Sequence, residues 1–209
     1  MPLTNYAELK TQVQQWAHRD DVPGIVDDVI LMVEADMFEQ NEHHPALSVR
    51  EMETRATATA DTTTRFLALP DSFMSMRRLR ISDSVGSDIK LRSPEGLVIK
   101  SGSGRPRYFS TTSQLEFDIQ PDSAYTLEMI YFKRPTGLSS ANTTNDILTN
   151  YPNIYALGCQ WAVKMFQNEP QLGAVWYGMF SNAIRGASRT DRRGRFSAAS
   201  VMGSERPTP

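Results

Sequence analysis

The side chains most able to carry chemistry in this sequence are three histidines, one cysteine and a few groups of carboxylates and arginines. His43 and His44 are adjacent and follow Glu42. A metal centre draws ligands that converge from spaced positions on regular elements. Adjacent histidines in the Pro-containing connection "HHPAL" are therefore expected to face solvent. Cys159 is alone, which excludes an internal disulfide and a cysteine metal cluster. It lies beside the apolar stripe of a helix and reads as a small buried hydrophobe. Glu51 and Glu53 are expected to share a strand face. Two acids could converge for glycan cleavage, but no local signature accompanies this pair. Asp27, Asp28, Glu34, Asp36 and Glu39 crowd one helix and read as its solvated surface. "SGSGRPRYF" lacks the Gly-Lys-Ser/Thr ending of a phosphate loop and runs from Arg-Pro into a strand, so it is a turn. No G-x-S-x-G nucleophile turn occurs. Arg77, Arg78 and Arg80 could bind nucleic acid; a strand face held by salt bridges is the simpler reading. No catalytic residue, cofactor or metal site is expected, and the chain is read as a non-enzyme.

The elements around these residues follow from periodicity. "NYAELKTQVQQWAHR" is a helix with Tyr6, Leu9, Val13 and Trp16 on one side, and Asn5 with Glu8 has capping-box spacing. "DDVPGIVDDVILMVEADMFEQN" is a second, capped by Asp20 or Asp21, with Pro23 in its first turn and Val26, Val29, Ile30, Val33 and Met37 as its stripe. After "HHPAL" the pattern changes to strands: "RATATAD" alternates Thr and Ala, followed by "FMSMRRLRIS", "RYFST", "QLEFDIQ" and "YTLEMIYFKRP". Beyond the polar "TGLSSANTTND", one helix carries Tyr151, Ile154, Tyr155, Gly158, Trp161, Ala162 and Met165. A second carries Leu172, Val175, Trp176, Met179, Phe180, Ala183 and Ile184. The short break "QNEP" makes them an antiparallel hairpin. Gly158, inside a helix, implies close approach of another backbone.

The chain is 209 residues with formal net charge -2, enough for a core of ordinary size. No apolar run reaches the ~20 residues of a spanning helix. The N-terminus lacks signal-peptide character, so the protein is expected to be soluble and made in the cytoplasm. From Arg185 onward six arginines face two acids, Asp191 and Glu205. A basic end on an otherwise acidic chain reads as a docking arm. The expected fold is α+β. It has an antiparallel helical bundle from residues 1–47 and 135–187, an inserted small antiparallel β-sheet unit over 48–134, and an extended basic tail over 188–209.

The stretch "YTLEMIYFKRPTGLSSANTTNDILTNYPNIYALGCQWAVKMF" resembles the head-to-tail adaptor proteins of tailed bacteriophages. A strand ends in Pro and Leu-Ser, and an Asn-x-Ile-Leu-x-x-Tyr-Pro-x-x-Tyr run opens an Ala-containing helix. "VREMETRATATADTTTRFLALPDSFMSMRRLRI", "GSGRPRYF" and "LEFDIQPDSAYTLEMIYF" are similar to other parts of that family, in the same order. The resemblance covers about residues 1–187. It implies a structural virion protein in the neck that forms a ring, typically a dodecamer, below the portal. Such a ring extends the DNA channel without sequence-specific DNA binding and gives nozzle, tail-tube or fibre proteins a platform. The tail residues Arg189, Arg192, Arg193, Arg195, Phe196 and Arg206 become the expected portal-docking arm. Tyr151, Tyr155, Trp161 and Trp176 become the helix scaffold. The alternative is a tail accessory protein that hydrolyses peptidoglycan; a nucleic-acid-binding module is a third reading.

Overall fold

A computed structural model of the chain describes residues 3–17, 22–83 and 86–196. The chain forms two units, one of Met1–Met52 with Pro135–Pro209, the other of Glu53–Arg134.

The first unit is helical: α1 (Tyr6–Ala17), α2 (Val26–Phe38), α3 (Asp146–Asn150), α4 (Pro152–Phe166) and α5 (Pro170–Phe196). At the start of α1 the Glu8 amide donates to Asn5 Oδ1 at 3.0 Å. The Glu8 carboxylate reaches back to the amide and hydroxyl of Thr4 at 2.7 and 2.8 Å. This is the capping box with its return bond moved one residue outward. Tyr6, Leu9, Val13 and Ala17 are buried. Trp16, expected among them, is 44% exposed, because Ala17 lies four residues after Val13 and takes the inward position. The candidate caps Asp20 and Asp21 of α2 lie outside the described residues. Val22–Gly24 forms a single 3-10 turn ahead of α2. The expected stripe from Val26 to Met37 is buried.

α4 packs against α1, α2 and α5. At Gly158 an added Cβ would lie 2.5 Å from Val33 Cγ1 and 2.9 Å from Phe180 Cε2. Glycine thus lets side chains of α2 and α5 close on the α4 backbone. Asn168, at φ +58°, turns the chain between α4 and α5, in a conformation Asn tolerates better than most residues.

The second unit is built from β1 (Glu53–Thr59), β2 (Phe66–Ala68), β3 (Phe73–Ile81), β4 (Asp88–Leu91), β5 (Ser103–Gly104), β6 (Tyr108–Thr111), β7 (Gln114–Phe117), β8 (Gln120–Pro121) and β9 (Thr126–Lys133). Seven strands form one sheet in the order β1-β9-β3-β4-β6-β7-β2, and β5 pairs with β8. The alternation in β1 is realised: Ala56 and Ala58 pack toward the core while Arg55, Thr57 and Thr59 are exposed. They stand opposite Met129 and Leu127 of β9, and those residues join Leu79, Ile81, Phe109, Leu115 and Phe117 in the core.

The expected helical bundle with a small inserted sheet and an extended tail is overturned on three points. The sheet is large, a seven-stranded element and not a small unit attached to a bundle. It is also not wholly antiparallel: β4 pairs parallel with β6, and β5 with β8. Of the strands missed, β2, β5 and β8 have two or three residues, too few for alternation to register, while β4 has four. Finally, α5 runs to Phe196, so residues 188–196 are helical and not extended. Their inward positions Ser188 and Asp191 are buried although polar. Arg50 Nε, 2.9 Å from Asp191 Oδ1, compensates the buried acid. A helix whose inner edge is Ser and Asp shows no apolar stripe, which hid it from the sequence pattern.

Candidate functional site

The expected scaffold helix is organised around Glu34. Expected on the solvated face of its helix, this residue is 3% exposed. Its Oε1 accepts the Tyr155 hydroxyl at 2.7 Å and the Leu138 amide at 2.9 Å. The missed signal is spacing: Ile30, Val33, Glu34 and Met37 share one helical arc, so the carboxylate enters the core with its apolar neighbours. A buried carboxylate is costly unless its oxygens are hydrogen-bonded, and the two bonds meet that need. Gly137 lies so close that a Cβ there would be 2.7 Å from Glu34 Oε2. Tyr155 also accepts the Asn145 amide at 2.8 Å. Burial first, and then the Glu34 charge, push the Tyr155 phenol well above its ordinary range.

The run Asn145–Tyr155 now has a physical meaning residue by residue. Asn145 Oδ1 caps α3 by accepting the Leu148 amide at 2.8 Å, while its amide nitrogen reaches Tyr155. Ile147 and Leu148 are fully buried. Tyr151 is the N-cap residue of α4 and Pro152 its first residue, where no amide hydrogen is required. Tyr155 closes on Glu34. The Tyr151 hydroxyl donates to Glu51 Oε2 at 3.4 Å. Glu51 lies in a 3-10 turn, so it does not share a strand face with Glu53, which begins β1.

A second polar cluster joins the end of α2 to α5. His44, expected at the surface, has a fully buried side chain. Its Nε2 lies 3.0 Å from Asp36 Oδ2 and its Nδ1 3.0 Å from the Pro45 carbonyl oxygen. Asn41 donates to Tyr177 Oη at 3.0 Å, and Tyr177 donates to Asp36 at 3.3 Å. Trp161 leans on Tyr177 with ring centroids 4.7 Å apart and stacks on Phe180 at 6.0 Å. Trp161 and Trp176 are both half-buried. Among the described residues no three His, Cys, Asp or Glu converge as metal ligands. Cys159 is buried; burial and the Glu34 charge raise its thiol far above the range of a reactive cysteine.

In the sheet unit the arginine cluster is a salt-bridged strand face. Arg77 pairs with Glu53 at 3.4 Å, Arg78 with Asp88 at 2.9 Å and Arg80 with Glu128 at 3.4 Å. The buried Asp118 accepts the amides of Arg107 and Tyr108 at 3.0 and 3.1 Å, and Lys100 Nζ at 2.8 Å.

The residues left facing solvent differ from expectation. Met165 on α4 and Leu172, Val175 and Met179 on α5, expected in the core from their spacing, are 49%, 51%, 54% and 48% exposed. Only the stripe through Phe180 and Ile184 faces inward. Arg189, Arg192 and Arg193 are exposed on the last turns of α5. The side chains of Arg195 and Phe196, and all of Arg206, lie outside the described residues. Among the described residues no helix is long and apolar enough to cross a membrane.

The helical frame, the buried Glu34–Tyr155 joint and the exposed arginines of α5 are parts of one long match. A family model described as SU10 adaptor protein, a phage adaptor, covers residues 4–202. The chain belongs to this family of phage head-to-tail adaptors. Family membership makes it a structural adaptor of the virion that contacts other phage head or tail proteins. No curated protein matches it.

Proposed function

We propose that this adaptor forms a ring, a dodecamer, beneath the portal, where it extends the DNA channel and gives the tail nozzle or fibres their attachment. The observation that carries the reading is the end of α5. From Pro170 to Thr190 this helix holds two arginines and no acid. Arg189, Arg192 and Arg193 then stand exposed with no described ion-pair partner. An arginine fork suits bidentate pairing with carboxylates, so an acidic portal rim is the partner assigned to Arg189, Arg192 and Arg193. Arg195, Phe196 and Arg206 are assigned to the same docking arm. Tyr151, Tyr155, Trp161 and Trp176 hold the frame that presents it. No catalytic step is assigned, and packaged DNA passes the ring without base-specific contact.

Negative-stain microscopy of the purified chain mixed with the cognate portal tests this. Rings of this chain stacked on portal rings are expected, and charge reversal at Arg192 and Arg193 should weaken stacking more strongly at low salt than at high salt. Portals that stay bare at every salt concentration would reject the reading.

A further inference from the structure

Among the described residues of the first unit several apolar side chains are exposed, and two of the helix faces that carry them, on α2 and α5, differ in charge. On α2 the side away from α4 carries Leu31, 67% exposed, and Met32, 42% exposed, between the exposed acids Asp28 and Glu39. α2 contains four acids and no base. On α5 the outward side carries the exposed Leu172, Val175 and Met179, with the half-buried Arg185 on the flank of the helix one to two turns further on. Exposed apolar side chains grouped on one face mark contact surfaces. The two faces are complementary: each has an apolar centre, one is flanked by the acids Asp28 and Glu39 and the other has Arg185 on its flank.

Their lengths also fit. At about 1.5 Å per residue, the thirteen residues of α2 span roughly 20 Å, while α5 is about twice as long. Laid along α5 from Leu172, a neighbour's α2 would reach about Arg185 and leave Arg189–Arg193 uncovered for another partner. Gly178 lies within the covered stretch, and an added Cβ there would meet nothing within 4 Å. Glycine inside an exposed helix is unfavourable, and its missing side chain leaves room for a second helix to approach closely.

We propose that the outer face of α2 in one copy seats on the first half of α5 in the next copy, with Leu31 and Met32 against Leu172, Val175 and Met179. Asp28 and Glu39 then flank the contact on the acidic side, and Arg185 on the basic side. Each copy carries both faces, so the contact is head-to-tail and can repeat until it closes. The proposal deepens the ring reading given above and rests on it for closure.

The test uses two full-length variants at exposed positions, Leu31→Glu and Val175→Glu, each checked for native circular dichroism. Sedimentation velocity is run from micromolar to millimolar concentration. The wild type should associate, and each variant alone should associate at least tenfold more weakly. An equimolar mixture of the two variants should give dimers and nothing larger, because each supplies one intact face. Arg185→Glu should weaken association, and adding Asp28→Arg with Glu39→Arg should recover part of it. If the variants associate like the wild type, this surface is wrong while the ring reading stands. If one variant still dimerises with itself while the mixture gains nothing, the contact is symmetric and the proposal fails. A wild type that is monomeric throughout also overturns it, and the portal-stacking experiment then decides the ring reading separately.

Discussion

Tyr155 and Glu34, 121 residues apart in sequence, meet inside the helical unit with the phenol donating to the carboxylate at 2.7 Å. This bond ties α4 to α2, while the Leu138 amide brings the entering loop onto the same oxygen. Tyr155→Phe removes one donor and leaves a buried carboxylate under-satisfied, at a cost of about 1–3 kcal/mol. The thermal midpoint should fall accordingly. An unchanged midpoint would show that the joint contributes nothing to stability.

The same tyrosine makes a pH prediction. Burial and Glu34 raise its pKa in the folded state, and burial with the Asp27 carboxylate pushes Tyr6 up to about 12. A raised pKa favours the neutral phenol in the fold. That contribution is complete below the ordinary phenol range near 10 and is lost as pH rises through the folded-state value. Ultraviolet titration should therefore show a fraction of the phenol absorbance change delayed beyond the ordinary range, and that fraction should shrink in Tyr6→Phe and in Tyr155→Phe. A delayed fraction that is the same in both variants as in the wild type would contradict it.

Two glycines should respond in opposite directions. Gly158→Ala drives a methyl into Val33 and Phe180 and should destabilise by about 1–3 kcal/mol. Gly178→Ala meets nothing and should stabilise the isolated subunit by about 1 kcal/mol. Paired denaturant titrations check both signs in one experiment.

Asp118 governs the sheet unit at low pH. Burial raises its pKa, but Lys100 and the amides of Arg107 and Tyr108 together outweigh burial and hold it below the usual carboxylate range. Its contribution is thus present above the unfolded carboxylate value of about 3.9 and fades as pH falls through the depressed folded value. Asp118→Asn should lose about 1–2 kcal/mol at neutral pH, and the gap to wild type should close in strong acid. A gap that persists below pH 2 would assign the loss to packing.

Much of the helical frame was legible because its stripes are long and regular, as in α2 from Val26 to Met37. Legibility ended where polar residues occupy inward positions. Glu34, Ser188 and Asp191 lie within buried helical arcs and His44 in a buried connection, yet hydropathy alone classes them as surface. The reverse error fell on Trp16, Leu172, Val175 and Met179, apolar residues at helical spacing that this chain leaves uncovered. A periodic pattern shows which side of a helix is buried somewhere, not whether the cover comes from the same chain. The sheet was under-read because its two- to four-residue strands gain order from neighbours distant in sequence, as β2 does from β7. The "Asn-Asp-Ile-Leu-Thr-Asn-Tyr-Pro-Asn-Ile-Tyr" run was visible as a motif; its purpose required seeing Asn145 and Tyr155 converge.

The measurement that bears most directly on the adaptor role is electron microscopy of particles assembled without this chain. The account predicts DNA-filled or leaking heads with bare portals and no attached tails, and restoration of tailed particles when the purified chain is added back. Complete tailed virions formed in its absence would contradict the account.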